Sequence, residues 1–203
     1  LRCHTGSDLA HLREEDGRFT LNSVLCGAEG SLGFIVEAEL NVLPIPKYSV
    51  LVNVRYQSFM DALRDARALM AHRPLSIETV DSNVLLLAMK DIVWTSVAEY
   101  FPRMEGEPET RGINLVEFSG DDPAEVDSRV SAFASHLQAD ASVRRLGHTL
   151  AAGHAAVGKV YAMRKRAVGL LGNVQGEARP QPFVEDTAVP PETLPEYIAE
   201  FRA

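Results

Sequence analysis

Cysteine is scarce in this chain. Cys3 and Cys26 are its two cysteines, too few for a disulfide scaffold or a four-cysteine metal site, and that scarcity suits a reducing compartment. No run approaches the roughly 20 apolar residues needed to cross a bilayer, and the first residues carry neither the basic nor the apolar region of a secretory leader. A soluble, cytoplasmic protein is therefore expected, with a redox partner as its one route to a membrane surface. Basic charge is also short: 20 Lys and Arg face 28 Asp and Glu, a net charge of -8. Such a chain attracts no phosphate backbone over long range, so nucleic acid is not an expected partner. The dense basic run Arg164-Lys165-Arg166 reads as a solvated helix face. What is plentiful is ordinary globular composition, 46% hydrophobic and 24% charged over 203 residues, which excludes disorder for the bulk of the chain and allows one medium domain or two small lobes.

The chain starts at Leu1 without a methionine and stops at Ala203 inside an amphipathic pattern, so a piece of a longer protein is expected. Residues 1–26 are polar and turn-rich. In 34–43, Phe34, Val36, Ala38, Leu40 and Val42 alternate with their neighbours in the period-2 pattern of a half-buried strand, ended by Pro44 and Pro46. The expected division is an amino-terminal remnant, 1–47, and a main domain, 48–203.

In the main domain Val50, Val52 and Val54 alternate with Leu51, Asn53 and Arg55 as a strand. Phe59, Leu63, Ala66 and Met70 follow at helical spacing. A strand at 75–80, an ambiguous apolar stretch at 84–94 read as helix, and an acidic break at 105–110 complete the first half. The order then repeats. A strand at 113–118 leads into Asp122-Pro123-Ala124-Glu125, an N-cap aspartate, N1 proline and N3 glutamate that start a helix. Val126, Val130, Phe133 and Leu137 are that helix's expected buried stripe. A weak strand at 143–149 and a long helix at 155–171 close the unit. Two β-α-β halves without detectable sequence repeat predict an α+β, ferredoxin-like antiparallel sheet with helices on one face.

Gly27, Gly30 and Gly33 recur every third residue just before the 34–43 pattern. Such spacing allows positive φ and brings backbone N–H groups close to an anion. The spacing is not that of a Rossmann loop, no helix follows, and the Gly-Lys pair of a Walker loop is missing. On physics alone the loop is either an anion cradle or a plain glycine-rich turn.

These residues carry a resemblance. The segment 27–35 with the pattern behind it is similar to the G-S-E-G-T-L-G-I-I-T segment of FAD-linked oxidases of the D-lactate and D-2-hydroxyglutarate dehydrogenase group, with Ala28 in place of serine and Ser31 in place of threonine. Thr5-Gly6-Ser7-Asp8-Leu9 resembles their T-G-Y-D-L element, Ser7 replacing the aromatic residue. Tyr161-Ala162-Met163-Arg164 resembles their W-x-x-R helix, and 185–190 (Glu-Asp-Thr-Ala-Val-Pro) their E-D-V-A-V-P element. The stretch 166–182, with Leu170-Leu171-Gly172-Asn173, is similar to the subgroup fused to an iron–sulfur half.

The resemblance implies that 1–47 end an FAD-binding domain, with Gly27, Ala28, Glu29, Gly30, Ser31, Gly33 and Ile35 lying on the cofactor. It implies that 48–203 are part of the cap domain, and that the parent oxidises a D-2-hydroxy acid (lactate, 2-hydroxyglutarate or similar) by hydride transfer to FAD. The family's H-x-x-D-x-x-x-H metal element would follow Ala203, so a metal ion and an iron–sulfur cluster are expected outside these residues, and the fragment alone is expected to be inactive. By the same resemblance Arg164 anchors the substrate carboxylate.

Read from spacing alone, Val157, Tyr161, Arg164, Val168 and Leu171 share a helix stripe, which turns Arg164 inward and demands an anionic partner: a strand carboxylate such as Glu78 or Glu117, or a ligand. His4, His11, His72, His136, His148 and His154 have no ligand spacing and read as structural or surface residues. Glu185 and Asp186 read equally as pocket or loop residues. The competing reading is a ferredoxin-like binding or regulatory module without redox activity. An alditol or phenol oxidase of the same flavin superfamily fits less well, because an arginine anchor suits an acid.

Overall fold

The computed structural model describes residues 9–103, 105–170 and 187–202. It divides into two compact units, 1–44 and 45–203.

In the first unit Arg13 and Phe19 form an isolated antiparallel bridge around a turn at Gly17, whose φ of 83° suits glycine. A single helical turn, α1 (Asn22–Leu25), leads into the glycine loop. The strand expected at 34–43 is not formed. Phe34 and Val36 are 99% and 95% exposed, and no described strand pairs with them. Alternation marks a face, but a strand exists only when a neighbour satisfies its N–H and C=O groups.

The second unit is built on four strands, β1 (Tyr48–Tyr56), β2 (Ser76–Asp81), β3 (Gly112–Gly120) and β4 (Arg145–Ala152). Their order is β2-β3-β1-β4, and every neighbouring pair is antiparallel. This is the strand order of a split β-α-β unit, as the element sequence predicts.

The helices α2 (Phe59–Leu69) and α4 (Pro123–Ala139) cover one face. Their burial is simple amphipathic physics: Val126, Val130, Phe133 and Leu137 of α4 meet Val52, Val116 and Phe118 of the sheet. The side chain of Asp122 accepts from Ala124 N at 2.9 Å and so caps α4 as expected. In α2 the buried residues are Ala62, Leu63, Asp65 and Leu69, and Met70 turns outward.

The helices α3 (Ser82–Lys90) and α5 (His154–Leu170) cover the opposite face, so the expected single helical layer is doubled. Leu51, Ile113 and Leu115 on that face pack against Leu85, Ala88, Val157, Val160 and Met163. The reason lies in β1 and β3: both are central strands, and the half of β1 that alternation leaves for solvent, Leu51, Asn53 and Arg55, is as buried as Val50, Val52 and Val54. A short helix α6 (Leu194–Phe201) closes the described chain. The Arg202 guanidinium just beyond it lies 4.6 Å over the Phe59 ring and 2.7 Å from Asp81.

Candidate functional site

Three polar constellations stand out, and each is built from a different set of elements. The first is the glycine loop. Glu29 and Gly30 both take positive φ, 47° and 77°, and Ser31 donates through N and Oγ to Ala28 O at 2.8 and 2.5 Å. That turn buries Ala28. No described residue accepts from the N–H groups of Glu29, Gly30 and Gly33, and an added Cβ at Gly30 or Gly33 meets nothing within 4 Å. The loop thus presents open backbone donors, a chemistry that fits an anionic or carbonyl-rich group such as a flavin nucleotide.

The second lies where α5 crosses β2 and β3. Arg164 Nε stands 2.8 Å from Glu78 Oε2, with side chains 42% and 35% exposed. Of the two strand carboxylates that the sequence offers, Glu78 is therefore the partner. Glu117 is held by Ser49 Oγ at 2.6 Å and by the Tyr161 hydroxyl at 2.8 Å, and burial followed by its contacts with Glu117 pushes the Tyr161 phenol well up. Among the described residues none forms a hydrogen bond with the terminal nitrogens of Arg164.

The buried stripe of α5 is Val157, Val160, Met163 and Ala167, not the expected Val157, Tyr161, Arg164 and Val168. The helix turns toward the set without a charge because burying a guanidinium costs far more than burying Met163. Arg164 consequently sits at the border of the core, half exposed. Leu171, Cys3, His4, the 5–8 element and the Glu185-Asp186 pair lie outside the described residues.

No motif in the sequence announces the third constellation. Asp65 of α2 receives the Tyr56 hydroxyl at 2.6 Å and a two-pronged Arg145 at 2.7 Å through both Nε and Nη2. Asn114 joins Tyr56 to the Ala62 carbonyl and receives Thr79. Arg145 also donates to the Leu137 carbonyl at 3.5 Å and to Asp140 Oδ2 at 2.9 Å, so the network ties α2, the end of α4 and the sheet together. An Asp at a helical core position was the available clue. Among the described residues no group of three His, Cys, Asp or Glu is arranged for a metal, and no helix is long and apolar enough to cross a membrane.

A split β-α-β sheet with an arginine beside its edge strand, and a separate glycine loop with open backbone donors, agree with a flavin-linked oxidase cap domain. The chain belongs to that family: residues 45–203 match the FAD linked oxidases, C-terminal domain. Over 202 residues it is 77% identical to a D-2-hydroxyglutarate dehydrogenase of Pseudomonas putida, covering 100% of this chain and 20% of the relative. A D-2-hydroxyglutarate dehydrogenase of Escherichia coli is 50% identical over 203 residues, and one of Haemophilus influenzae 46%, each covering 98% of this chain and 20% of the relative. The chain spans about a fifth of the length of the curated relatives it matches.

Proposed function

We propose that the chain is part of a flavin-dependent dehydrogenase that oxidises a D-2-hydroxy acid, with D-2-hydroxyglutarate the first candidate and D-lactate the next. The observation that carries this reading is the 77% identity, across the whole chain, to a protein named for that activity. On this reading residues 1–47 end the flavin-binding domain, with Gly27, Ala28, Glu29, Gly30, Ser31, Gly33 and Ile35 against the cofactor. Residues 48–203 belong to the cap, and the parent works in the cytoplasm. FAD, when bound, supplies the acceptor for the hydride.

This chain's own contribution is binding and orientation. Glu78 lies beside Arg164 Nε as its ion-pair partner, and the terminal nitrogens of the guanidinium are the fork that grips a carboxylate with two parallel hydrogen bonds. The open N–H groups of the glycine loop hold the cofactor without added charge.

The test is Arg164→Ala in the full-length parent. Expected is a loss of about 2–4 kcal/mol of transition-state stabilisation, roughly 30- to 1000-fold in kcat/KM, with flavin content near wild type. Arg164→Lys should recover part of the loss, since an ammonium lacks the planar fork. Undiminished turnover on every 2-hydroxy acid together with lower thermal stability would reduce Arg164 to the ion-pair partner of Glu78.

A further inference from the structure

A cavity of about 110 Å³ opens beside the core on the α3 side of the sheet. Its walls are Leu85, Leu86 and Met89 of α3 with Trp94 and Phe101, whose rings stack 5.6 Å apart at 23°. Arg55 of β1 and, at the mouth, Arg103 also line it. The cavity shares no residue with the Arg164–Glu78 pair, so its reading does not rest on the function proposed for that pair.

Two independent observations give the cavity a chemistry. Arg55, with a side chain 6% exposed, spends Nη1 and Nη2 on Glu107 and on the Leu146 carbonyl, while its buried Nε has no acceptor. A buried donor left open is disfavoured and is satisfied by any acceptor that reaches it. At the mouth, Glu109 lies 3.7 Å from Arg111 and its charge is offset there, whereas Arg103 is exposed and no described residue pairs with it. The walls are apolar and the uncompensated charge is positive.

We propose that this cavity is a binding site for a small carboxylic acid with an apolar tail. The tail fills the space between α3 and the Trp94–Phe101 stack, and the carboxylate meets Arg103 and faces Arg55, whose Nε becomes its second donor when the side chain shifts toward the ligand. At about 110 Å³, against the roughly 150 Å³ of an apolar cavity that holds a benzene, the tail is at most a single ring that reaches into the open mouth. The charge of the carboxylate is met by Arg103, whereas Arg55, already paired with Glu107, offers a donor and no free charge.

Trp94 is the chain's single tryptophan, so its emission reads the cavity directly. Benzoate titrated into the 203-residue chain should shift that emission saturably, with Kd about 1 mM or tighter. Calorimetry on the full-length parent should give the same affinity. Benzyl alcohol, which keeps the ring without the charge, should bind at least about tenfold more weakly. Arg103→Gln should weaken benzoate about tenfold, and Leu86→Phe, which fills the cavity from a half-exposed position, should abolish the response. Absence of saturation up to about 10 mM by both readouts, equal binding of benzyl alcohol, or unchanged affinity in both variants each overturns the proposal.

Discussion

At the scale of single residues, the Asp65–Arg145–Tyr56 clamp is the most consequential feature that the fold contains. Asp65 is fully buried and Arg145 nearly so, and removing Asp65 leaves the buried Tyr56 hydroxyl without its acceptor and Arg145 with Asp140 as its remaining carboxylate at 2.9 Å. Asp65→Ala should therefore lower unfolding free energy by about 1–3 kcal/mol, read as a shift of the urea midpoint at unchanged slope. His72 behaves differently. Burial, and then the neighbouring His136 ring 4.4 Å away, push its pKa below the ordinary 6.5, and burial does the same to His148. The unfolded chain then binds more protons than the folded one between the lowered values and 6.5. Stability should be full above pH 6.5 and fall as pH drops through it, before any carboxylate titrates. The urea midpoint at pH 5.5 should lie below that at pH 8, and His72→Gln should shrink the difference. A midpoint higher at pH 5.5 would contradict the sign.

At the scale of elements, the α2 and β3 contact leaves no room for a side chain. A Cβ at Gly112 would lie 2.9 Å from Phe59 Cα, 3.1 Å from Ala62 Cβ and 3.3 Å from Ser58 O. Backbone cannot yield as a flexible side chain does, so Gly112→Ala should cost about 1–3 kcal/mol by thermal or urea unfolding. Removing the α4 cap by Asp122→Ala should cost about 1 kcal/mol. The reverse ranking would mean that α2 slides along the sheet more easily than its close approach to Gly112 implies. The helix α5 illustrates how two overlapping stripes compete: Tyr161, Arg164 and Val168 repeat as regularly as Val160, Met163 and Ala167, and only the neighbouring α3 and sheet select between them.

At the scale of the whole molecule, the glycine loop and the cap sheet belong to different compact units. The exposed apolar residues at 34–43 find no described strand to pair with. We expect the 203-residue chain by itself to retain no FAD, since a short loop of backbone donors offers too few contacts to hold a dinucleotide against its lost translational freedom. The check is a visible spectrum after gel filtration. A stoichiometric flavin band would show that these residues alone complete the site.

Local chemistry written in the sequence decided much of this protein. Asp122-Pro123 starts α4, its stripe Val126, Val130, Phe133 and Leu137 is buried as spaced, and the β-α-β order yields the antiparallel sheet in the expected strand order. The resemblance of 27–35 and of Tyr161–Arg164 to motifs of the FAD-linked oxidases implied the family that residues 45–203 match. Tertiary structure alone decided the rest. Period-2 alternation cannot say whether the second face of a strand meets water or another helix, so the burial of Arg55 and the second helical layer were not legible. Nor can alternation supply a neighbour, which is why 34–43 remains without a ladder. The partner of an arginine depends on which charges the fold brings near it: Glu78 beside Arg164, Glu107 beside Arg55 and Asp65 beside Arg145 are 86, 52 and 80 residues away in sequence, distances at which no periodicity carries information.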